Sequence, residues 1–174
     1  MNIEMMRAFH AGNSWATRQV LTAAARVDDA IWSAAGVDNQ RSLRETLVHL
    51  VGTQRAWLGW WDGSLTDAEA YTLFLDPQDY PSADALLLEW EAIDAATAAF
   101  LETLAGDDLT RDFVMRVPGR EATLPLWQML LHVGTHDAQH RGEAALMLTE
   151  AGASPGGLDL LWYFLQTGAP GGAS

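Results

Sequence analysis

His132, His136 and His140 recur at intervals of four residues in the segment LPLWQMLLHVGTHDAQHRGEAALML. Imidazole nitrogens repeated at that interval are donors suited to a divalent transition metal. On an α-helix, positions four apart share a face and lie about 6 Å apart along the axis, so two such imidazoles can converge on one cation. Three in a row span roughly 12 Å and cannot all reach one ion through bonds of about 2.1 Å. One of the three therefore does something else, and a further ligand must come from another helix. The best candidate is His49, in the middle of the amphipathic segment SLRETLVHLVGTQRAWLGWW. Cysteine is absent, which restricts the ligands to nitrogen and oxygen and excludes disulfides, a protein thiol nucleophile and zinc–thiolate sites. Thiol chemistry here would need an external thiol.

The elements that must position these side chains are helices. Apolar periodicity marks a first helix from about Ile3 to Arg26, interrupted by Asp28 and Asp29. A turn is expected around Val37, Asp38 and Asn39. Ser42, followed three residues later by Glu45, is a capping box opening a second helix that ends near Asp62 and Gly63. Residues 64–81 have a mixed pattern with two prolines, Pro77 and Pro81, and read as a long connection containing a short helical turn. Ser82 or Asp84 caps a third helix carrying Leu86, Leu87, Trp90, Ile93, Phe100, Leu101 and Leu104, which Gly106 ends. Alternation over 111–117, the Pro118–Gly119 turn and residues 121–124 predict one small β-hairpin. Thr123 and Pro125 open a fourth helix that runs to about Glu150 and stops at Gly152. A short, strongly apolar fifth helix from Leu158 to about Gln166 follows. The sum is an all-α protein: a four-helix bundle of up-down-down-up type with a short fifth helix, one domain over residues 1–168 and a frayed tail at 169–174.

Composition fits that reading. The 174 residues are 49% hydrophobic and 19% charged, enough for one sizeable core. A formal charge of −13, with ten Arg and no Lys, argues against nucleic acid as a partner. No apolar run approaches the roughly 18 residues of a membrane span, and the amino terminus lacks the pattern of a signal peptide. A cytoplasmic location and no membrane partner are expected.

Helical azimuths refine the site. Met129, His132, His140, Glu143 and Met147 fall on one face with His136. Around His49 the same count gathers Ser42, Glu45, Thr53 and Trp60, with Gly52 and Trp57 at the margins, a polar stripe edged by indoles that suits a pocket wall. Eight Trp is many for this length, and the cluster at Trp57, Trp60 and Trp61 can serve as packing or as substrate wall.

A mid-helix His in LVHLVGTQRAWLGWW combined with HVGTHDAQHRGE on a late helix resembles the DinB/YfiT-like family of metal-binding four-helix bundles. The likeness covers nearly the whole chain, including helix order, the long connection and the extended piece before the last long helix. It implies a three-histidine site at His49, His136 and His140, with His132 left as a pocket or packing residue. Family members commonly carry Gln where this chain has Glu143, a departure that places a carboxylate one turn beyond His140. That carboxylate is a candidate for holding a ligand, for coordination or for proton transfer.

Three neutral imidazoles leave a divalent ion, zinc or nickel by ligand type, its full charge and an open position, which lowers the pKa of a water or thiol held there. The resemblance implies a low-molecular-weight thiol S-transferase using bacillithiol or a similar thiol. In that reading an electrophilic small-molecule substrate lies near Trp57 and Trp60, and Arg55 and Arg141 bind anionic groups of the thiol. A metal-dependent hydrolase, with Glu143 or His132 moving the proton, is the alternative, and a stress-induced metal-binding protein without catalysis is a third reading. A homodimer is expected, from apolar surface on a small bundle and from the habit of relatives.

Overall fold

The computed structural model describes residues 2–36 and 40–168. The turn expected at 37–39 and the tail expected at 169–174 lie outside the described residues. Four long helices carry the architecture: α1 (Ile3–Ala24), α3 (Leu43–Trp61), α5 (Ala83–Thr103) and α6 (Leu126–Glu150). Three short helices accompany them: α2 (Asp29–Ser33), α4 (Asp67–Thr72) and α7 (Leu160–Thr167).

Residue pairings fix the helix directions. Asn13 bonds Asp137 and Arg141 bonds Thr17, so contacts advance together and α1 runs parallel to α6. His49 meets His140 while Trp57 meets His132, so α3 runs against α6. Gln54 bonds Thr97 and Trp61 stacks on Phe100, so α5 runs with α3. Arg7 reaches the Leu101 carbonyl and Arg18 pairs with Glu91, so α5 runs against α1. The order is up, down, down, up, with α1 and α3 each packed on both α5 and α6.

Local chemistry sets the boundaries. The Ser42 hydroxyl accepts from the Glu45 N–H at 3.2 Å, and the Glu45 carboxylate accepts from the Ser42 N–H at 2.8 Å, so the capping box starts α3 about two turns before His49. Ser82 caps α5. Strands β1 (Asp112–Val117) and β2 (Arg120–Pro125) form an antiparallel hairpin in which Val117 faces Arg120. Its turn carries Pro118 and then Gly119 at φ 77°, the positive value that the second central position of a type II turn demands.

Several boundaries differ from the sequence reading, and α5 ends at Thr103, before Gly106, which opens a 3-10 turn. Asp28 caps α2 instead of merely interrupting a helix, because Trp32 in that turn is buried and donates its indole N–H to the Tyr80 carbonyl. The short helical turn expected in the connection after α3 is α4, opened by a full capping box of Thr66 with Glu69. Thr123 does not open α6: it pairs with Val114 in the hairpin, and α6 starts at Leu126.

The core is layered. One apolar cluster gathers Leu21, Trp32, Leu47, Leu50, Trp90 and Leu148, and a second gathers Met6, Trp61, Leu101, Leu126 and Leu130 at the hairpin end. Each fully buried Leu contributes about 1.5–3 kcal/mol relative to exposure. Between the clusters lies a polar layer of buried Asn13, Thr17, Gln54, Thr97, Asp137 and Arg141. Such a layer must be hydrogen-bonded across helices to be tolerated, and so it favours one helix register. The histidine site sits at this level.

Candidate metal centre

His49 projects from the middle of α3 towards α6, where His136 and His140 stand one turn apart. The ring centroids are separated by 5.3 Å for His49 and His136, 4.8 Å for His49 and His140, and 4.5 Å for His136 and His140. One ligand atom from each lies within 4.8 Å of the others, and among the described residues this is the only such convergence of metal-ligating side chains. Bonds of about 2.1 Å at tetrahedral angles place donor nitrogens about 3.4 Å apart, so small side-chain rotations would close the set on one ion.

Burial favours the neutral form of the His49 imidazole. Burial, helped by Arg41 and by the neighbouring His140 and His136 rings, pushes His49 down from the ordinary 6.5 to about 4, with Glu143 opposing. His49 therefore offers a lone pair at neutral pH without first losing a proton. His140, almost fully buried, has its Nδ1 2.7 Å from a Glu143 carboxylate oxygen. The other Glu143 oxygen accepts from Gln139 at 3.1 Å. A carboxylate on Nδ1 fixes the ring and leaves Nε2 for a cation, the usual arrangement behind a metal-bound histidine. Partial burial alone would raise the Glu143 carboxyl, but hydrogen bonds from His140 and Gln139, with the charges of His140 and Arg41, outweigh it and hold it below the usual range. Donor type and spacing fit a divalent ion.

The other side chains singled out in the sequence fall in different places. His132, one turn before His136, is exposed and lies edge-on to Trp57 at 5.6 Å, outside the three-histidine convergence. Desolvation and the neighbouring His136 lower its pKa, against the pull of Asp137. Trp57 stacks on Trp60 at 5.2 Å, both rings meet Phe113 of the hairpin, and the Trp60 indole donates to Asp67 of α4. These indoles form an aromatic wall towards the hairpin end, beside His132. Arg55 points away to pair with Glu89 of α5 at 2.9 Å. Arg141 is buried against α1, donating to the Thr17 hydroxyl at 3.1 Å. The structure does not bring either arginine to the histidines: Arg55 lies six residues from His49, about 120° away in azimuth, and Arg141 lies one residue, about 100°, beyond His140.

A cavity of about 460 Å³ opens beside His49 instead. Val48, His49, Gly52 and Thr53 of α3 form its floor, Leu73, Phe74, Leu75 and Pro77 one wall, and Arg41 with Glu45 its polar end. Sequence reasoning missed Arg41 and the 73–77 wall. The available signal was a pair of glycines seven residues apart in α3. A Cβ on Gly52 would stand 3.1 Å from Leu75 Cγ, and one on Gly59 would stand 2.6 Å from Leu65 Cγ. The connection is seated against α3 through both glycines, and this seating sets the cavity wall.

Four long helices in up-down-down-up order, with a cavity alongside, define a helical bundle carrying a three-histidine group that could hold a metal ion between two of its helices. The chain belongs to the DinB family, whose model matches residues 3–171. Three solved structures share the fold. A DinB-like protein from Bacillus subtilis aligns with a TM-score of 0.63 at 14% identity, covering 85% of this chain and 92% of that one. A DinB-like protein from Bacillus cereus gives 0.63 at 19% identity over 84% and 91%. A protein from Streptococcus pneumoniae gives 0.60 at 16% identity over 83% and 88%. No curated protein matches the sequence.

Proposed function

We propose that this chain is a metal-dependent enzyme of small-molecule chemistry, with a low-molecular-weight thiol of the bacillithiol type as cosubstrate and S-transfer as the reaction. The observation that carries the reading is the double position of His49, which belongs to both the three-histidine cluster and the floor of the cavity. A zinc or nickel ion held by His49, His136 and His140 would supply a positive charge that favours thiolate over thiol. Arg41 at the polar end of the cavity supplies a cation for a carboxylate of the thiol, a role the sequence reading had given to Arg55 and Arg141. Phe74, Leu75 and Val48 offer apolar surface to an electrophilic substrate, and the Trp57 indole, stacked on Trp60, lies against His132. The sulfur bonds to an electrophilic carbon, the leaving group departs with its electron pair, and the thiol proton passes to solvent. The chain has no cysteine to compete for the electrophile.

Hydrolysis of an ester or amide is the second reading, supported by His132, which is exposed and held neutral one turn from His136. Glu143, hydrogen-bonded to His140, is the other group placed to take a proton. One assay separates the two. Zinc-loaded protein is given a chloronitrobenzene electrophile with bacillithiol, and separately a nitrophenyl ester without thiol. Thiol-dependent chloride release that falls in Arg41→Ala supports S-transfer. Ester cleavage without thiol, sensitive to His132→Ala, supports hydrolysis, and neither activity in metal-loaded protein would overturn both.

A further inference from the structure

We infer that Asp137 is a positioning residue for His136, and that it is held in that role from α1 by Asn13. The inference rests on the reading of His136 as a metal ligand. Asp137 is completely buried, and a carboxylate taken out of water costs several kcal/mol unless its oxygens are engaged. One oxygen is engaged: Oδ2 accepts from the Asn13 amide at 2.8 Å. The other, Oδ1, has no hydrogen-bond partner and stands 3.6 Å from His136 Nδ1, itself buried and without a partner. Two orphaned buried atoms of complementary type thus face each other, an acceptor and a ring nitrogen that donates when protonated. A movement of about half an ångström makes the hydrogen bond.

The arrangement repeats, by a different route, what Glu143 does for His140. His136 and His140 then each present Nδ1 to a carboxylate and keep Nε2 for the centre, although one carboxylate follows its histidine by one residue and the other by three. Helical repetition cannot generate that coincidence. The two supports differ in setting, since Glu143 is exposed while Asp137 is enclosed by α1. Arg141, one turn on, is anchored to Thr17 of the same helix and lies within the field of Asp137. Helix α1 supplies no ligand, yet through Asn13 and Thr17 it braces the ligand-bearing face of α6.

The test is zinc affinity, measured by competition with a chromophoric chelator on the full chain, together with the absorption spectrum of the cobalt-substituted protein. Wild type, Asp137→Asn, Asn13→Ala and His136→Ala are compared, with urea midpoints of the metal-free forms. Asp137→Asn keeps the shape and loses the charge, so affinity should fall by about 10–100-fold, the range found on removing a partner behind a metal ligand. The cobalt spectrum should change with it. Asn13→Ala should weaken binding less but in the same direction. Asp137→Asn binding zinc as wild type does, while His136→Ala does not, would overturn the inference and leave the metal site standing. Wild type without zinc affinity would overturn both. Should Asp137→Asn fail to fold, Asn13→Ala decides, and unchanged affinity there counts against the inference.

Discussion

Acidifying the metal-free protein from pH 7.5 to 4.5 is expected to weaken the fold by about 1–2 kcal/mol through His49 alone. In the unfolded chain His49 takes up a proton near its ordinary 6.5, whereas in the bundle burial, with Arg41 and the neighbouring His140 and His136 rings, delays this to about 4. Between those values the unfolded state binds the extra proton, so the stabilisation is present above pH 6.5 and is lost as pH falls towards 4. At about 1.36 kcal/mol per tenfold the full gap is worth about 3.4 kcal/mol. The ring is only half-buried, and solvent screening brings this to about 1–2 kcal/mol. The assay is urea unfolding of wild type and His49→Gln at half-unit pH steps. The difference between them should shrink by that amount on acidification, which separates His49 from the other titrating groups. Parallel curves would refute the placement of His49 in a desolvated imidazole cluster. Saturating zinc should steepen the wild-type dependence, because protons compete for the ligands and a ligand at a hundred times its Kd adds about 2.7 kcal/mol.

The remaining predictions concern neighbouring parts of the fold. Gly134→Val should destabilise by about 1–3 kcal/mol or more, since its Cβ would stand 2.5 Å from Phe9 Cζ in the α1–α6 seam. Gly142→Ala, eight residues on in the same helix with open space around it, should be neutral or stabilising by up to about 1 kcal/mol; thermal melts that fail to separate the two would contradict the packing described. Glu143→Gln keeps an acceptor but loses the charge next to His140, so zinc affinity should fall by about tenfold, and equal affinity in a chelator competition would remove its supporting role. On α7, Leu161, Trp162 and Leu165 are exposed, at 63%, 52% and 65%, which supports self-association as a homodimer. Sedimentation should show a concentration-dependent mass that Trp162→Glu reduces to monomer, and a monomer at all concentrations would refute it.

Much of this architecture is legible in the sequence because it depends on local rules. The Ser42 capping box fixes where α3 starts and so places His49 in the helix interior. The four-residue spacing in α6 puts three histidines on one face whatever the tertiary fold. Which two of them meet His49 is a tertiary matter: α3 runs against α6, and the level of His49 matches His136 and His140 while Trp57 falls opposite His132. The arginines show the limit of azimuth arguments. Arg55 and Arg141 are near the histidines in sequence, but their directions acquire meaning only once α5 and α1 occupy the flanks. The cavity was hidden for a related reason. Its wall is a connection with no strong periodicity, and its cation, Arg41, precedes the helix cap. Gly52 and Gly59 were the readable clue, since two glycines inside a helix cost about 1 kcal/mol each and call for a close packing partner.

The most direct test of the metal centre is elemental analysis of untagged protein, wild type beside His49→Ala, with folding of both verified by circular dichroism. About one divalent ion per chain is expected in wild type, with loss of that ion in the variant. No ion in either protein, or the same content in both, would contradict this.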